Sequence, residues 1–432
     1  MEWFWTGIVR VFRECFRIHT QAKLDERQLG RYFTTPEHSQ ALIQALNPVY
    51  PRVLLELGAG DGALVAAAAR RWDKAQVVTT DLYPGGLELP HDAPINHQHF
   101  CIDALEVRLP ELLALRSKSV DVAVCNPPYF RPEWRPSFGS ILEDAGLSSC
   151  FAATKDVTID VLFLAQNLRL LRSQGVLGII VPDGLVAGIK ARQLRQTLVE
   201  HHGISVVYQL PPKAFRGTDA RTHILVLSKT GGPARFINVY ELQRDGQLSS
   251  GIRLDGGQAR HRLDFAYWHH KIPGRARHLR GISIAELGGS VSRGTLPWRQ
   301  AKELDIGAFH TVHFASAVRS RKVYAKRTTL PSTNYRMLIY AQAGDILLGR
   351  VGRHIHEQVL RVVGPGLMPL TDCVIRVRVP HEYQEAVWRF FDSSFGKEWI
   401  KANSRGVCAR YLACTDVLES GLPLSLGTAA RG

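Results

Sequence analysis

Apolar and polar positions follow one rhythm through the first half of this chain and another after it. Between residues 53 and 228 short apolar runs alternate with longer amphipathic stretches. Val53–Leu57, Gln76–Thr80, Val120–Cys125, Gly175–Pro182, Ile204–Leu210 and Thr222–Ser228 read as strands, the most apolar of them buried. A further strand edge carries Phe100 and Cys101. Helical periodicity fills the gaps, with Leu42, Ile43 and Leu46 on one buried face, then 63–72, Asp160–Leu171 and Ala191–His201. Strands alternating with helices predict an α/β domain built on a doubly wound parallel sheet. The alternation stops near Lys229-Thr230-Gly231-Gly232, so the first domain is expected over 30–232. Residues 233–280 read as a connecting region of short strands and loops. A second α/β domain is expected over 281–432, with strand signals at Asp345–Leu348 and Cys373–Val377 and a helix at Gln384–Asp392. Residues 1–29 read as an amphipathic helical segment. Charges inside its apolar stretch make it too interrupted for a signal peptide or a membrane span.

The polar residues with candidate chemistry fall at the ends of the predicted strands. Val120–Cys125 runs into Asn126-Pro127-Pro128-Tyr129. Two prolines remove two N–H donors and fix φ, so the strand cannot continue. The Asn126 amide oxygen and the Pro127 carbonyl then form two rigid acceptors suited to both hydrogens of a planar –NH2 group. Tyr129 offers a flat face for the ring bearing that amine. A tight turn with a buried tyrosine would use the same four residues. After Val53–Leu57 comes Gly58-Ala59-Gly60-Asp61-Gly62, a strand–loop–helix junction whose glycines let the backbone approach a ligand. Glu56, two residues earlier, can take a cationic or amine-bearing group. Asp81 ends the next strand about twenty residues past the glycines, where an acid accepts ribose hydroxyls. Asp103 is placed to accept from an adenine amino group, with Ile102 and Ala104 beside the ring. Helix or turn capping explains Asp81 and Asp103 as well. Thr35-Pro36-Glu37 is a helix start, and a helix N-terminus can also hold a carboxylate. Phe215 sits in a turn between two strands, where a core aromatic is not required.

Composition sharpens this in two ways. Among 432 residues the formal net charge is +15, which favours a polyanionic partner over a neutral one. Residues 280–432 hold 21 Lys/Arg against 12 Asp/Glu and so carry +9 of it. The basic residues around 319–327 and 350–353 are candidates for groove or phosphate contacts. Seven scattered cysteines without a C-x-x-C spacing point to reduced thiols in a cytoplasm, with no disulfide framework and no metal site. The adjacent pairs His201/His202 and His269/His270 cannot face one metal on regular structure.

The order of these motifs resembles the adenine-N6 DNA methyltransferases of the γ order. Gly30 to Pro36, Glu56 to Gly62 and Asn126 to Tyr129 match that family's three motifs, and the resemblance covers 30–229. The Glu-Leu-Gly-Ala-Gly-Asp-Gly loop is closer to the general class I form than to the Pro- and Cys-containing loop common in the γ order. The 281–432 part looks like a target-recognition domain of Type I specificity subunits, through Gly344 to Gly352, Gly396 to Ile400, Gly406 and Gly421 to Leu424. The resemblance implies a class I methyltransferase sheet and S-adenosylmethionine as methyl donor, without a metal. It implies that Tyr32, Thr35 and Pro36 hold the donor's carboxylate end. Glu56, Gly58, Gly60 and Gly62 would face its amino-acid part, Asp81 its ribose and Asp103 its adenine. Asn126, Pro127, Pro128 and Tyr129 would form the catalytic loop, with Tyr129 and Phe215 stacking on a flipped-out adenine. No covalent intermediate is needed, so Cys125 is not expected to be a nucleophile. Double-stranded DNA is the implied partner, in a restriction-modification or related system, with cleavage left to a separate restriction endonuclease. The implied location is cytoplasmic, with no membrane partner. The same catalytic loop occurs in enzymes acting on RNA bases or on glutamine side chains, and these remain alternatives.

Overall fold

The computed structural model describes residues 33–46, 50–82, 96–115, 118–215, 218, 220–271, 281–303, 305–317, 320–325, 338–406 and 409–422. The expected helix in 1–29 and the residues Gly30 and Tyr32 lie outside these. The chain divides into two compact units, 1–265 and 266–432.

The first unit opens with α1 (Pro36–Ala45), started by Thr35 as N-cap and Pro36 in the first turn. Then come β1 (Val53–Leu57), α2 (Ala63–Arg71), β2 (Gln76–Asp81), β3 (His97–Cys101), a short α3 (Leu109–Leu112) and β4 (Val120–Cys125). Next are α4 (Ser137–Asp144), α5 (Ile159–Leu170), β5 (Leu171–Pro182), α6 (Asp183–Ala187) and α7 (Arg192–His201). Strands β6 (Gly203–Gln209), β7 (Thr222–Ser228), β8 (Ile237–Glu241) and β9 (Ile252–Leu254) complete a nine-stranded sheet. Its order is β3-β2-β1-β4-β5-β7-β6-β8-β9. Strands β3 to β5 run parallel, with Glu56 opposite Val124 on one side and Thr79 on the other.

The expected α/β class with a large central sheet holds, and two finer expectations do not. The sheet is mixed, since β7 is antiparallel to both β5 and β6. An apolar run such as Thr222–Ser228 records burial on both faces, and that does not specify the direction of pairing. The domain also does not close at 232. β8 pairs parallel with β6, β9 covers its far edge, and Ile237, Val239 and Leu254 are buried. The supposed connecting region is therefore largely part of the first unit.

One core forms where α1 and α2 cover the sheet, joining Leu42, Leu46, Leu64, Val124, Ile180 and Ile224. Helix α5 is buried on nearly every side, as its all-round apolar sequence requires. Among the described residues no helix is long and apolar enough to cross a membrane.

The second unit contains a five-stranded sheet, whose strands are β10 (Ser290–Arg293), β11 (Lys322–Tyr324), β12 (Ile346–Gly349), β13 (Val359–Val363) and β14 (Val374–Arg378). The order is β10-β14-β12-β13-β11. Helices His381–Asp392 and Ser394–Asn403 supply Phe390, Phe391 and Ile400 to its core. Several basic residues here hold the unit together. Arg378 forms a forked pair with the buried Asp345, and Arg405 pairs with Asp416. Arg321 pairs with Asp392, and Arg350 donates to the Asp372 carbonyl.

The placement of β8 and β9 has a measurable consequence. A chain ended after residue 232 is expected to be less stable than one ended after 265. Losing the burial of Ile237 and Val239 alone costs about 3–6 kcal/mol. Denaturant unfolding of the two fragments checks this, and equal midpoints would contradict it.

Candidate active site

The strand order reverses between β1 and β4, and ligands of open α/β sheets bind beyond the strand C-termini at such a point. A cavity of about 460 Å³ opens there. Its wall includes Gly58 after β1, Asp81 at the end of β2, Asp103 after β3 and Asn126 after β4. Gly60 also lines it. Residues 68 positions apart in sequence, Gly58 and Asn126, thus meet because four parallel strands end together.

The loop after β1 is shaped by left-handed glycines, with φ of 73° at Gly58, 58° at Gly60 and 83° at Gly62. The Gly58 and Ala59 N–H groups both donate to the Thr80 carbonyl at 2.9 Å. The Gly60 N–H donates to Asp81 Oδ2 at 2.8 Å, so Asp81 holds the loop it faces. A Cβ at Gly58 would sit 3.3 Å from the Phe163 ring, and one at Gly60 would sit 3.7 Å from Phe33. Both rings line the cavity, and neither is singled out by the sequence motifs. Phe163 lies on the second turn of α5, a position the periodicity marked only as core. This glycine cradle, walled by aromatic rings and carrying two carboxylates, fits a nucleoside-bearing ligand.

The Asn126 side chain is fixed at both ends. Its Nδ2 donates to Thr34 Oγ1 at 2.9 Å, and its Oδ1 accepts from the Tyr129 hydroxyl at 3.2 Å. The same hydroxyl lies 3.2 Å from the Ile180 carbonyl. Thr34 is buried and was not anticipated, because its position just before the helix cap carries no distinctive pattern. Downstream, the Phe130 carbonyl accepts from the Ile159 N–H at 3.2 Å, tying the loop to the start of α5. Cys125 is sealed in the sheet, where its Sγ donates to the Leu57 carbonyl at 3.2 Å. Burial pushes its thiol well above the ordinary range, which disfavours a thiolate nucleophile.

Other expected site residues are placed differently. Glu56 is only 2% exposed and outside the cavity wall. Burial raises its carboxyl well above the usual range, a backbone hydrogen bond at Val65 opposes this, and Oε2 has no protein partner. It therefore sits behind the cavity wall, against the backbone of Val65 in the first turn of α2. Phe215 is 2% exposed, belongs to the α1–α2 core and has its ring 5.9 Å from that of His38. In this structure it offers no face to a base, because the turn bearing it folds back onto the core. Thr35 caps α1, accepting from the His38 N–H at 3.4 Å. Neither it nor Pro36, Gly62, Pro127 or Tyr129 lines the cavity, although Phe33 and Pro128 beside them do. Asp103 caps a turn, accepting from the Leu105 N–H at 2.9 Å, and no helix begins at Ala104. Among the described residues no group of three or more His, Cys, Asp or Glu side chains is arranged to hold a metal.

A family model described as N-6 DNA methylase matches residues 15–250. No curated protein matches the chain. Among solved structures, the type IIG restriction endonuclease BpuSI aligns over 93% of this chain and 60% of its own. Its identity is 12% and its TM-score 0.50. A modification subunit of a putative type I restriction enzyme from Vibrio vulnificus YJ016 aligns over 55% of this chain and 52% of its own. That likeness has 18% identity and a TM-score of 0.39. A type I restriction-modification methyltransferase subunit from Streptococcus thermophilus aligns over 51% of this chain and 50% of its own, at 23% identity and 0.42. The chain thus matches between half and three fifths of the length of each. At 12% identity the likeness to BpuSI is one of fold.

Asp160, next to Ile159 in the cavity wall, yields a pH prediction. Burial raises its carboxyl from an ordinary 3.8 to about 6. The folded state then holds the proton more tightly than the unfolded chain. Stability should fall as pH rises from about 4 to about 6 and stay level above. Asp160→Asn should gain on the wild type across that window, reaching about 2–3 kcal/mol at neutral pH. Chemical denaturation at pH 4 and pH 7.5 checks this, and an unchanged gap would contradict it.

Proposed function

The chain belongs to the N-6 DNA methylase family, and we propose that it methylates the N6 amino group of adenine at specific sites in duplex DNA. S-adenosylmethionine is the methyl donor in this reading, supplying an electrophilic methyl group. The observation that carries the proposal is the shared cavity wall, where Gly58, Gly60, Asp81 and Asp103 adjoin Asn126. A donor site and an amine-accepting side chain thus border one space.

Within that space the residues of this chain have separable tasks. Asp81 and the glycine loop hold the ribose and amino-acid portions, and Asp103 meets the adenine. Glu56 acts from behind the cavity wall. Thr35 and Pro36 shape the helix start next to Phe33, and the donor's carboxylate end is assigned to that corner. Asn126 Oδ1 and the Pro127 carbonyl accept the two hydrogens of the target amine, and Pro128 keeps the loop rigid. This withdraws the nitrogen lone pair from ring conjugation and aims it at the methyl group. Thr34 orients the Asn126 amide by taking its N–H, so that the oxygen end serves as acceptor.

Reaching the target atom requires the adenine to leave the duplex, which costs a few kcal/mol. Stacking on an aromatic returns roughly 1–3 kcal/mol per base. Tyr129 supplies that face. Phe215 can add a second only if its turn leaves the core, so Tyr129 carries the larger share. The basic second unit is assigned to duplex binding and target recognition. A role in restriction-modification, with a separate endonuclease, and a cytoplasmic location complete the proposal.

Transfer of labelled methyl from S-adenosylmethionine to duplex DNA, RNA and a glutamine-containing peptide tests the substrate class. Label is expected in duplex DNA alone, as N6-methyladenine. Label in RNA or peptide, with none in DNA, would overturn the reading. Asn126→Ala should abolish transfer. Thr34→Val should lower kcat roughly five- to tenfold, the loss of about one hydrogen bond, with the affinity for S-adenosylhomocysteine unchanged. Thr34→Ser should restore the rate, and equal rates for all three Thr34 forms would exclude a positioning role.

A further inference from the structure

The acid assigned to the donor's adenine does not stand alone at the cavity. Asp103 Oδ2 accepts from Arg135 Nη1 at 2.6 Å, while its Oδ1 is held by the Leu105 N–H. Arg135 comes from the segment just after Asn126–Tyr129 and lines the same cavity as Asp103 and Gly58. Its guanidinium lies over the Phe138 ring, 5.4 Å from the centroid. Trp134 packs edge-on against that ring at 5.7 Å. The guanidinium is therefore held in place by a carboxylate and a ring together, although its side chain is 53% exposed.

An ion pair this exposed contributes little to folding. Its chemistry at a cavity wall is more specific. A carboxylate beside a guanidinium presents an acceptor next to a donor. Adenine presents the complement, an amino donor flanked by acceptor ring nitrogens. A guanidinium has five N–H donors in a fixed plane, and the contact with Asp103 occupies Nη1. We infer that Arg135 is a cofactor-recognition residue. It is the donor half of a pair, with Asp103 as acceptor, that reads the adenine edge of the methyl donor. This rests on the S-adenosylmethionine reading of the cavity.

Titration calorimetry of the full chain with S-adenosylhomocysteine tests the assignment, using wild type, Arg135→Met and Arg135→Lys. Arg135→Met should bind about tenfold more weakly, Arg135→Lys should recover part of the loss, and the ligand-free melting temperature should not move. One of the 1-deaza and 7-deaza analogues should bind the wild type more weakly than the parent ligand, and that difference should vanish in Arg135→Met. An unchanged affinity would make Arg135 a spectator. A tighter one would make it a competitor for Asp103. A deaza penalty that survives in Arg135→Met would remove its role as donor. Each of these overturns the inference. A folded wild type that binds no S-adenosylhomocysteine would instead overturn the cofactor reading.

Discussion

Strand β4 stops because Pro127 and Pro128 remove two successive N–H donors, and the position of that stop governs the rest of the site. β4 lies between β1 and β5, at the point where the strand order reverses. Its last residue, Cys125, pairs with Ile179 deep in the sheet. Asn126 is thus delivered to the cavity by a strand whose six residues, Val120 to Cys125, are all buried. A register shift of one residue would turn Asn126 to the opposite face.

The remaining contacts hold what this ending delivers. Thr34 and the Tyr129 hydroxyl bracket the Asn126 amide, the Ile180 carbonyl anchors the tyrosine, and the Ile159 N–H anchors Phe130. On the other side of the cavity Asp81 holds the glycine loop. These partners lie on α5, β5, β2 and the lead-in to α1, so the site is rigid only when the whole first unit is folded. Glu56 adds a cost. A carboxyl pushed well up by burial, with one oxygen lacking a protein partner, is an unfavourable group to bury unless it serves the adjoining site. The cavity itself presents carboxylates, within a chain whose net charge is +15. That division matches a donor bound through hydroxyl and amino groups and a polyanionic second substrate bound elsewhere on the surface.

Much of this was legible in the residues themselves. The span Thr222–Ser228 is a strand as read, and the glycine loop and Asn126 fall at strand ends because glycine and proline act locally on φ and on hydrogen bonding. Properties set by distant parts of the chain were not legible. The antiparallel insertion of β7 depends on which neighbour an apolar strand meets. Strands β8 and β9 are short and follow a glycine turn, so Ile237 and Val239 gave no sign of extending the same sheet. The turn at Phe215 looked free to reach a ligand, yet its ring is buried against α1, and nothing nearby in sequence records that fold-back. Thr34 and Arg135 were missed for a related reason. Each matters through one partner, Asn126 or Asp103, that lies 92 or 32 residues away.

The central claim is that the donor cavity and the Asn126 acceptor act together on one chemical group, the exocyclic amine of adenine in DNA. Single-molecule modification mapping of DNA from cells expressing the wild type, beside cells expressing a folded Asn126→Ala form, measures this most directly. N6-methyladenine at one short sequence motif in the first sample and not in the second is the predicted result. Unmodified DNA from the wild type, while the purified protein still binds S-adenosylhomocysteine, would contradict the claim.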